Sequence, residues 1–348
     1  MRPFFYSATT NFGDYLNSWL WDELVPELTA REDDIRLVGI GSILSRNLDL
    51  VEGHKVVFGT GSGYSEMPTR EQAARWDVRC VRGPLTAHHM GLPDEKSITD
   101  GAWLIDGLPR FRDLAPARSG VAFVPHWTTQ SFGNWSAVCR AAGLTYVNPF
   151  DPFETVARQL AGTDLAIVES LHGAIVADYY RTPWIPVTSP GRVLSYKWVD
   201  WCMSLDLEYR PYLLPLSDLF DHLFERRMPQ PVPSSPVPFA VEAEGFHASP
   251  KSAGSVSPPS KARQLRARTM SRLKGTARQV RGAMLTGVGR VRETNLVALT
   301  GARRQEQLAS YMTRLTTCRP TLSSNAVRTD RLDRLADALE AMRADYAD

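Results

Sequence analysis

At 348 residues, with 43% apolar and 22% charged side chains, the chain has the composition of an ordinary globular protein and a length that suits about two domains. It contains no run of the roughly 18 apolar residues that a transmembrane helix needs, and Asn11 and Asp14 interrupt the N-terminal stretch where a signal peptide would keep its apolar segment, so a cytoplasmic protein is expected. The net charge of +2 hides an asymmetry: eleven Lys or Arg and no acidic residue fall between Lys251 and Arg292, leaving the remainder at −9 (2 − 11).

In chain order, short β-branched or apolar runs predict strands at Pro3 to Tyr6, Arg36 to Ile40, Lys55 to Phe58, Asp77 to Val81, Gly120 to Val124, Thr145 to Val147, Leu165 to Glu169 and Trp184 to Val187. Several are continuously apolar, as strands covered on both faces are. Helical spacing fills the gaps, notably Tyr15 to Leu28 and Phe153 to Gly162, the latter with Pro152 expected at its first position. Alternating strands and helices imply parallel sheets, and a second set of strands begins near Gly120. The predicted fold is α/β, with two doubly wound Rossmann-like domains at 1–116 and 117–228. The Pro- and Ser-rich texture of 229–260 predicts a disordered linker, and 261–348 a basic helical tail. Two apolar stripes run through that tail, one on Leu273, Ala277, Val280 and Met284, the other on Leu332, Leu335, Leu339 and Met342. The four cysteines, Cys80, Cys139, Cys202 and Cys318, show no metal-ligand spacing and read as buried thiols.

The chemistry-bearing residues cluster at strand ends. Ser170-Leu171-His172-Gly173 closes the run LAIVE and precedes the helical AIVADYY. Ligands of parallel sheets bind beyond the carboxyl ends of the strands, and the amides opening the next helix favour an anion there. The alternative is a loop histidine packed on its neighbours. Asn11-Phe12-Gly13-Asp14 follows the first strand, with Asp14 either a functional carboxylate or only a helix cap. Arg82, in Val81-Arg82-Gly83-Pro84, could grip a carboxylate or phosphate through two parallel hydrogen bonds, or form a surface ion pair. The turns GIGS (39–42) and FGTGSG (58–63) bring Gly41, Ser42, Gly61 and Ser62 to further strand ends without completing a dinucleotide fingerprint or a P-loop. His126 and Lys197 fit functional and structural roles equally. No paired carboxylates, metal cluster or nucleophile elbow stands out.

Taken in order, NFGD, GIGS, FGTGSG, VRGPLT (81–86), Asp100-Gly101 and SLHG with its helix and TPWIPV (182–187) resemble the polysaccharide pyruvyl transferase family, in particular the succinoglycan-type ketal pyruvate transferases of bacterial exopolysaccharide synthesis. The likeness runs from about Tyr6 to Leu205. It implies a GT-B-like pair of domains and an enzyme that uses phosphoenolpyruvate as co-substrate, with no cofactor or metal, to place a pyruvate ketal on two hydroxyls of a sugar, often on a lipid-linked oligosaccharide. His172 is then the expected general acid, favoured as imidazolium by the donor's anions. Asp14 would orient or deprotonate the acceptor. Arg82, Ser170, Leu171, Gly173 and Lys197 are the expected donor contacts, and Asn11, Gly13, Gly41, Ser42, Gly61, Ser62 and His126 the acceptor or loop-lining residues. Ser170 departs from the pattern, since many members carry Arg there.

On this reading residues 251–292 meet the anionic inner face of the membrane, making the protein cytoplasmic and peripheral. The two C-terminal stripes could also pair chains into a dimer. Two other functions compete: a GT-B glycosyltransferase using a nucleotide sugar, and a non-catalytic anion- or glycan-binding protein. Nucleic acid is not expected as a partner, because the basic segment lacks interleaved aromatics.

Overall fold

The computed structural model describes residues 1–5, 11–63, 65–189, 193–217, 232–241 and 295–347. Two parallel sheets organise them. The first holds β1 (Arg2–Phe4), β2 (Ile35–Val38), β3 (His54–Thr60) and β4 (Asp77–Val81) in that order, with Leu37 opposite Val56 and Val57 opposite Val78. The second holds β5 (Val121–Val124), β6 (Thr145–Tyr146), β7 (Leu165–Val168), β8 (Trp184–Thr188) and β9 (Tyr212–Leu213), ordered β6-β5-β7-β8-β9. The strand order reverses between β5 and β7, so the carboxyl ends of these two strands form the switch point at which doubly wound sheets bind ligands.

The helices are α1 (Phe12–Tyr15), α2 (Leu20–Leu24), α3 (Pro26–Thr29), α4 (Arg70–Ala73), α5 (Pro84–Met90), α6 (Pro109–Arg112), α7 (Trp127–Phe132), α8 (Trp135–Ala142), α9 (Phe153–Ala161), α10 (Leu171–Tyr179), α11 (Ser195–Ser204), α12 (Asn295–Leu315) and α13 (Asn325–Asp345). None among the described residues is long and apolar enough to cross a membrane. The single helix expected from Tyr15 to Leu28 is instead a chain of short pieces. Trp19 leaves the helical region at φ −145° and Val25 at φ −136°, and Pro26, which has no N–H to donate, restarts the helix at its first position. The apolar spacing survives because Leu16, Leu20, Trp21, Leu24 and Leu28 are all buried. Pro152 caps α9 from one position earlier than expected.

Strand alternation sorts the core into layers. Ala122, Val124, Ala166 and Val168 join Leu37, Val56 and Phe58 in one apolar cluster between the two sheets, whereas Phe123 and Ile167 face α8 and α12 on the far side of the second. Val38, Val57 and Val81 pack outward from the first sheet with Trp76, Ala87 and Met90. Helix α10 lies inside the central layer with Ala174 to Tyr179 all buried, which is why AIVADYY is largely apolar, its one charge, Asp178, being buried and accepting from Trp184 Nε1 at 2.9 Å and Ser323 N at 3.0 Å.

The C-terminal region departs most from expectation. Of the tail at 261–348, residues 295–347 are described, and both of their helices belong to the body. Leu308, Tyr311, Met312 and Leu315 of α12 complete the layer beneath Trp135, while Leu335, Leu339 and Met342 of α13 enter the central core. Thr321 pairs with Trp184 through backbone hydrogen bonds of 2.9 and 2.7 Å. The stripe offered above for dimerisation is therefore consumed within its own chain. Part of the Pro- and Ser-rich linker packs on the body too: Leu213 N–H donates to Val237 O at 2.8 Å and Phe239 N–H to Pro211 O at 2.9 Å, laying residues 237–239 along β9. The basic segment 251–292, the stripe within it and the rest of the linker lie outside the described residues.

Candidate functional site

The first sheet delivers NFGD to the junction of the sheets. Asn11, not Asp14, caps α1: its Oδ1 accepts from Asp14 N at 3.1 Å, and its Nδ2 donates to Asp14 Oδ2 at 2.7 Å. Asp14 is thereby oriented rather than used up. Beneath it the two glycine turns are bonded together, Gly61 N to Gly41 O at 3.0 Å and Leu44 N to Gly61 O at 3.2 Å. Gly41 adopts φ +109°, and a Cβ there would come 3.0 Å from Asp14 Oδ1. Asn17, which the sequence did not single out, locks this stack. Its Nδ2 donates to Ile40 O at 2.9 Å and Asp14 O at 3.1 Å, and its Oδ1 accepts from Ile40 N at 2.9 Å.

The second sheet delivers SLHG. Ser170 caps α10 through Gly173 N at 3.4 Å, so the serine has a structural task at this position. Gly173 packs close to β5, since a Cβ would lie 2.9 Å from Val124 Cγ1, and Leu171 is buried. His172 crosses to the other sheet. Its Nδ1 sits 3.9 Å from Asp14 Oδ1, and the ring rests on the α-carbon of Gly13, where a Cβ would fall 2.0 Å from Nδ1. Phe12 meets the ring edge-on with centroids 6.4 Å apart, and Phe12 N–H donates to Pro149 O at 2.9 Å. The imidazole Nε2 is buried and has no hydrogen-bond partner. Asn11, Gly13, Asp14, Gly41 and His172, separated by up to 161 residues (172 − 11), thus form one constellation.

Arg82 belongs to a neighbouring cluster, and its geometry argues against the expected clamp. It is fully buried, neither a surface ion pair nor a free donor. Nε and Nη2 both donate to Asp200 Oδ2 at 3.2 Å, Nη1 to Ser42 Oγ at 2.7 Å, and Nη2 to Ser62 O at 2.9 Å. Asp200 also accepts from Thr86 N at 3.0 Å and Thr86 Oγ1 at 2.7 Å. The strand-end argument located Arg82 correctly but could not foresee a carboxylate 118 residues away. Gly61 and Gly83 are required here, because a Cβ on either would strike Arg82 or Asp200 at 2.5 and 2.0 Å.

Lys197 is buried on α11, the helix that carries Asp200. His126 caps α7 through Thr128 N, and its own amide donates to Glu169 Oε2 at 2.9 Å, tying the ends of β5 and β7 together. Burial pushes the thiols of Cys80 and Cys139 up to about 12, consistent with inert core cysteines. A cavity of about 550 Å³ opens elsewhere, beside Ser119, Thr145, Arg158 and Thr163 near the amino ends of the second sheet's strands, away from His172.

Asp100 is the other residue that sequence reasoning did not place in the site. It is fully buried at the start of the 3-10 helix Gly101–Gly107, where burial pushes its carboxyl above the usual carboxylate range while His172 and Arg82 pull it down.

No protein-family model matches the chain, and no solved structure does. Over 218 residues the chain is 41% identical to the succinoglycan biosynthesis protein ExoV of Rhizobium meliloti (strain 1021), a stretch covering 62% of this chain and 69% of that protein.

Proposed function

The chain belongs to the succinoglycan-type polysaccharide pyruvyl transferase family, and on that premise we propose that it transfers the enolpyruvyl unit of phosphoenolpyruvate to two hydroxyls of a saccharide, forming a pyruvate ketal and releasing phosphate. The observation that carries this reading is the meeting of His172 and Asp14 across the two sheets, with the imidazole Nε2 buried and unpartnered. Ketal formation needs two protonations, one at the vinyl carbon and one on the departing phosphate. It releases two protons, one from each acceptor hydroxyl, so a site that both gives and takes protons suffices. His172 is the acid that protonates the vinyl carbon, generating the cation that the first hydroxyl attacks. Asp14, held by Asn11 and about a quarter exposed, orients the acceptor hydroxyl and draws off its proton.

The donor's phosphate and carboxylate are best served by the opening amides of α10, since first-turn amides have no acceptor within their own helix. Lys197 remains a candidate for the second anionic group. Arg82 becomes a positioning residue whose guanidinium shapes the turns at Ser42 and Ser62. A lipid-linked acceptor would lie at an anionic membrane face, where the basic residues of 251–292 each gain about 1 kcal/mol near the surface. Because α12 and α13 are core, that idea is tested by Lys/Arg→Gln changes within 251–292 and anionic vesicles rather than by truncation. Unchanged binding removes the membrane role.

The deciding assay incubates the protein with phosphoenolpyruvate and lipid-linked saccharides and measures phosphate release and pyruvate bound to the saccharide. Release of UDP from a UDP-sugar instead would make the protein a glycosyltransferase, and saccharide binding without turnover a glycan-binding protein.

A further inference from the structure

The chemistry above leaves Asn17 without a task, although its buried amide is bonded to capacity. Oδ1 accepts from Ile40 N at 2.9 Å and from Trp21 Nε1 at 3.1 Å. Nδ2 donates to Ile40 O at 2.9 Å and to Asp14 O at 3.1 Å. The side chain thus engages both backbone groups of Ile40, as the peptide of a neighbouring strand would. Asparagine suits this place alone: aspartate has no hydrogens to give, glutamine is a carbon longer, and a hydroxyl offers one hydrogen. The turn GIGS is shaped around the contact. A Cβ on Gly39 would collide with Asn17 Oδ1 and the Trp21 ring, and Gly41, at φ +109°, leaves only 3.0 Å between a Cβ and Asp14 Oδ1. From its other side the same turn is braced by Thr60 Oγ1 donating to Gly41 O at 2.9 Å and by Arg82 Nη1 donating to Ser42 Oγ at 2.7 Å.

Helix α1 is a single turn of four residues, too short to hold its own place. Within it Asp14 has Oδ2 taken by Asn11 Nδ2 at 2.7 Å and turns Oδ1 toward His172 Nδ1, 3.9 Å away. We infer that Asn17 is a positioning residue for Asp14: it fastens the main chain at Asp14 to the braced GIGS turn, so that Oδ1 stays beside Gly41 and facing the imidazole when an acceptor sugar's hydroxyl arrives. This rests on Asp14 being the group that orients and deprotonates the acceptor in the proposed transfer. The donor's contacts come from α10 on the other sheet, so the effect of Asn17 falls on the acceptor half of the reaction.

The test is a double-mutant cycle on kcat and on the KM of each substrate, with Asn17→Ala, Asp14→Asn and the two combined compared at equal folded fraction. Loss of Asn17 is expected to lower kcat about 10²-fold, as a displacement near 1 Å does, and to leave the phosphoenolpyruvate KM unchanged. It should cost nothing further once Asp14 is already Asn, because residues that act through one another are not additive. An unchanged kcat, effects that multiply, or a loss confined to the donor KM each overturn the proposal. Two measurements need no turnover. In the unaltered, ligand-free protein the Asn17 side-chain amide hydrogens should exchange slowly with solvent, since both are bonded and buried; free exchange overturns the proposal without any variant having to fold. The His172 ring resonances, read at one fixed pH, should move in Asn17→Ala in the same direction as in Asp14→Asn, and resonances unmoved by Asn17→Ala overturn it too. A displaced His172 signal without phosphate release from the parent would leave the positioning standing and remove the pyruvyl transfer; phosphate release with multiplying effects would do the reverse.

Discussion

Two buried charged clusters sit side by side where the sheets meet, and they are finished differently. In the Arg82–Asp200 cluster every guanidinium nitrogen and both carboxylate oxygens are engaged, with Ser42 Oγ, the Ser62 carbonyl and Thr86 completing the set, and the atom left without a partner there is the uncharged Ser62 Oγ. In the cluster of His172, Asp14 and Asp100, two buried polar atoms have no partner. Buried polar groups in proteins are satisfied in the great majority, and orphans call for an explanation. The closed cluster is architecture, whereas the open one is arranged for something that arrives. The lesson concerns arginine as much as histidine: a charged side chain at a strand end is no more available to a ligand than its neighbours leave it.

Breaking the open cluster should cost activity but not fold. His172→Gln is expected to lower kcat about 10²–10⁴-fold, the usual contribution of a general acid, with a thermal melt close to that of the parent. Near-normal turnover would end its assignment. Breaking the closed cluster should do the opposite. Asp200→Ala leaves Arg82 charged, buried and unpaired, and should cost about 3–5 kcal/mol in denaturant unfolding, as loss of one partner from a buried pair does. If that variant melted normally and only its donor KM rose, Arg82 would return to the role of donor clamp.

The comparison also separates what the sequence made visible from what it hid. Strands of both sheets were legible because burial on two faces leaves continuous apolar runs; β9 was missed because an edge strand of two residues carries too little pattern. NFGD and SLHG were visible as motifs at strand ends, and their ends do converge. Asp100 and Asp200 were not, since a lone aspartate in DGAW or KWVDW acquires meaning only from partners far away in the chain. The same limit explains α13: the stripe of Leu335, Leu339 and Met342 announced an amphipathic helix, but a stripe does not say whether its cover is a second copy or its own core. For Gly13 the residue was legible and its reason was not, because the need lies in the close approach of an imidazole rather than in a turn.

That close approach supplies the next test of the open cluster. Gly13→Ala puts a methyl group where the His172 ring lies, so the ring must move. A displacement of about 1 Å is enough to cost roughly 10²-fold in rate, and kcat should fall by that order without loss of Asp14 or His172. An active Gly13→Ala enzyme would mean that the ring position is not what catalysis depends on.

The smallest effect is the most diagnostic. Because burial raises the folded-state pKa of Asp100 above its ordinary value of 3.8, the native state binds the proton more tightly than the unfolded chain does. The stability this group contributes is therefore fully present below 3.8 and is lost as pH rises through the raised folded value, the reverse of an ion-paired carboxylate. Asp100→Asn removes the titration. It should be more stable than the parent at neutral pH, and the gain should disappear below pH 4. Arg82 and His172 work against burial here, so a stability difference that stayed flat with pH would show their charges cancelling the desolvation cost. Asp100 would then be a settled carboxylate, and the open cluster would have one orphan fewer to explain.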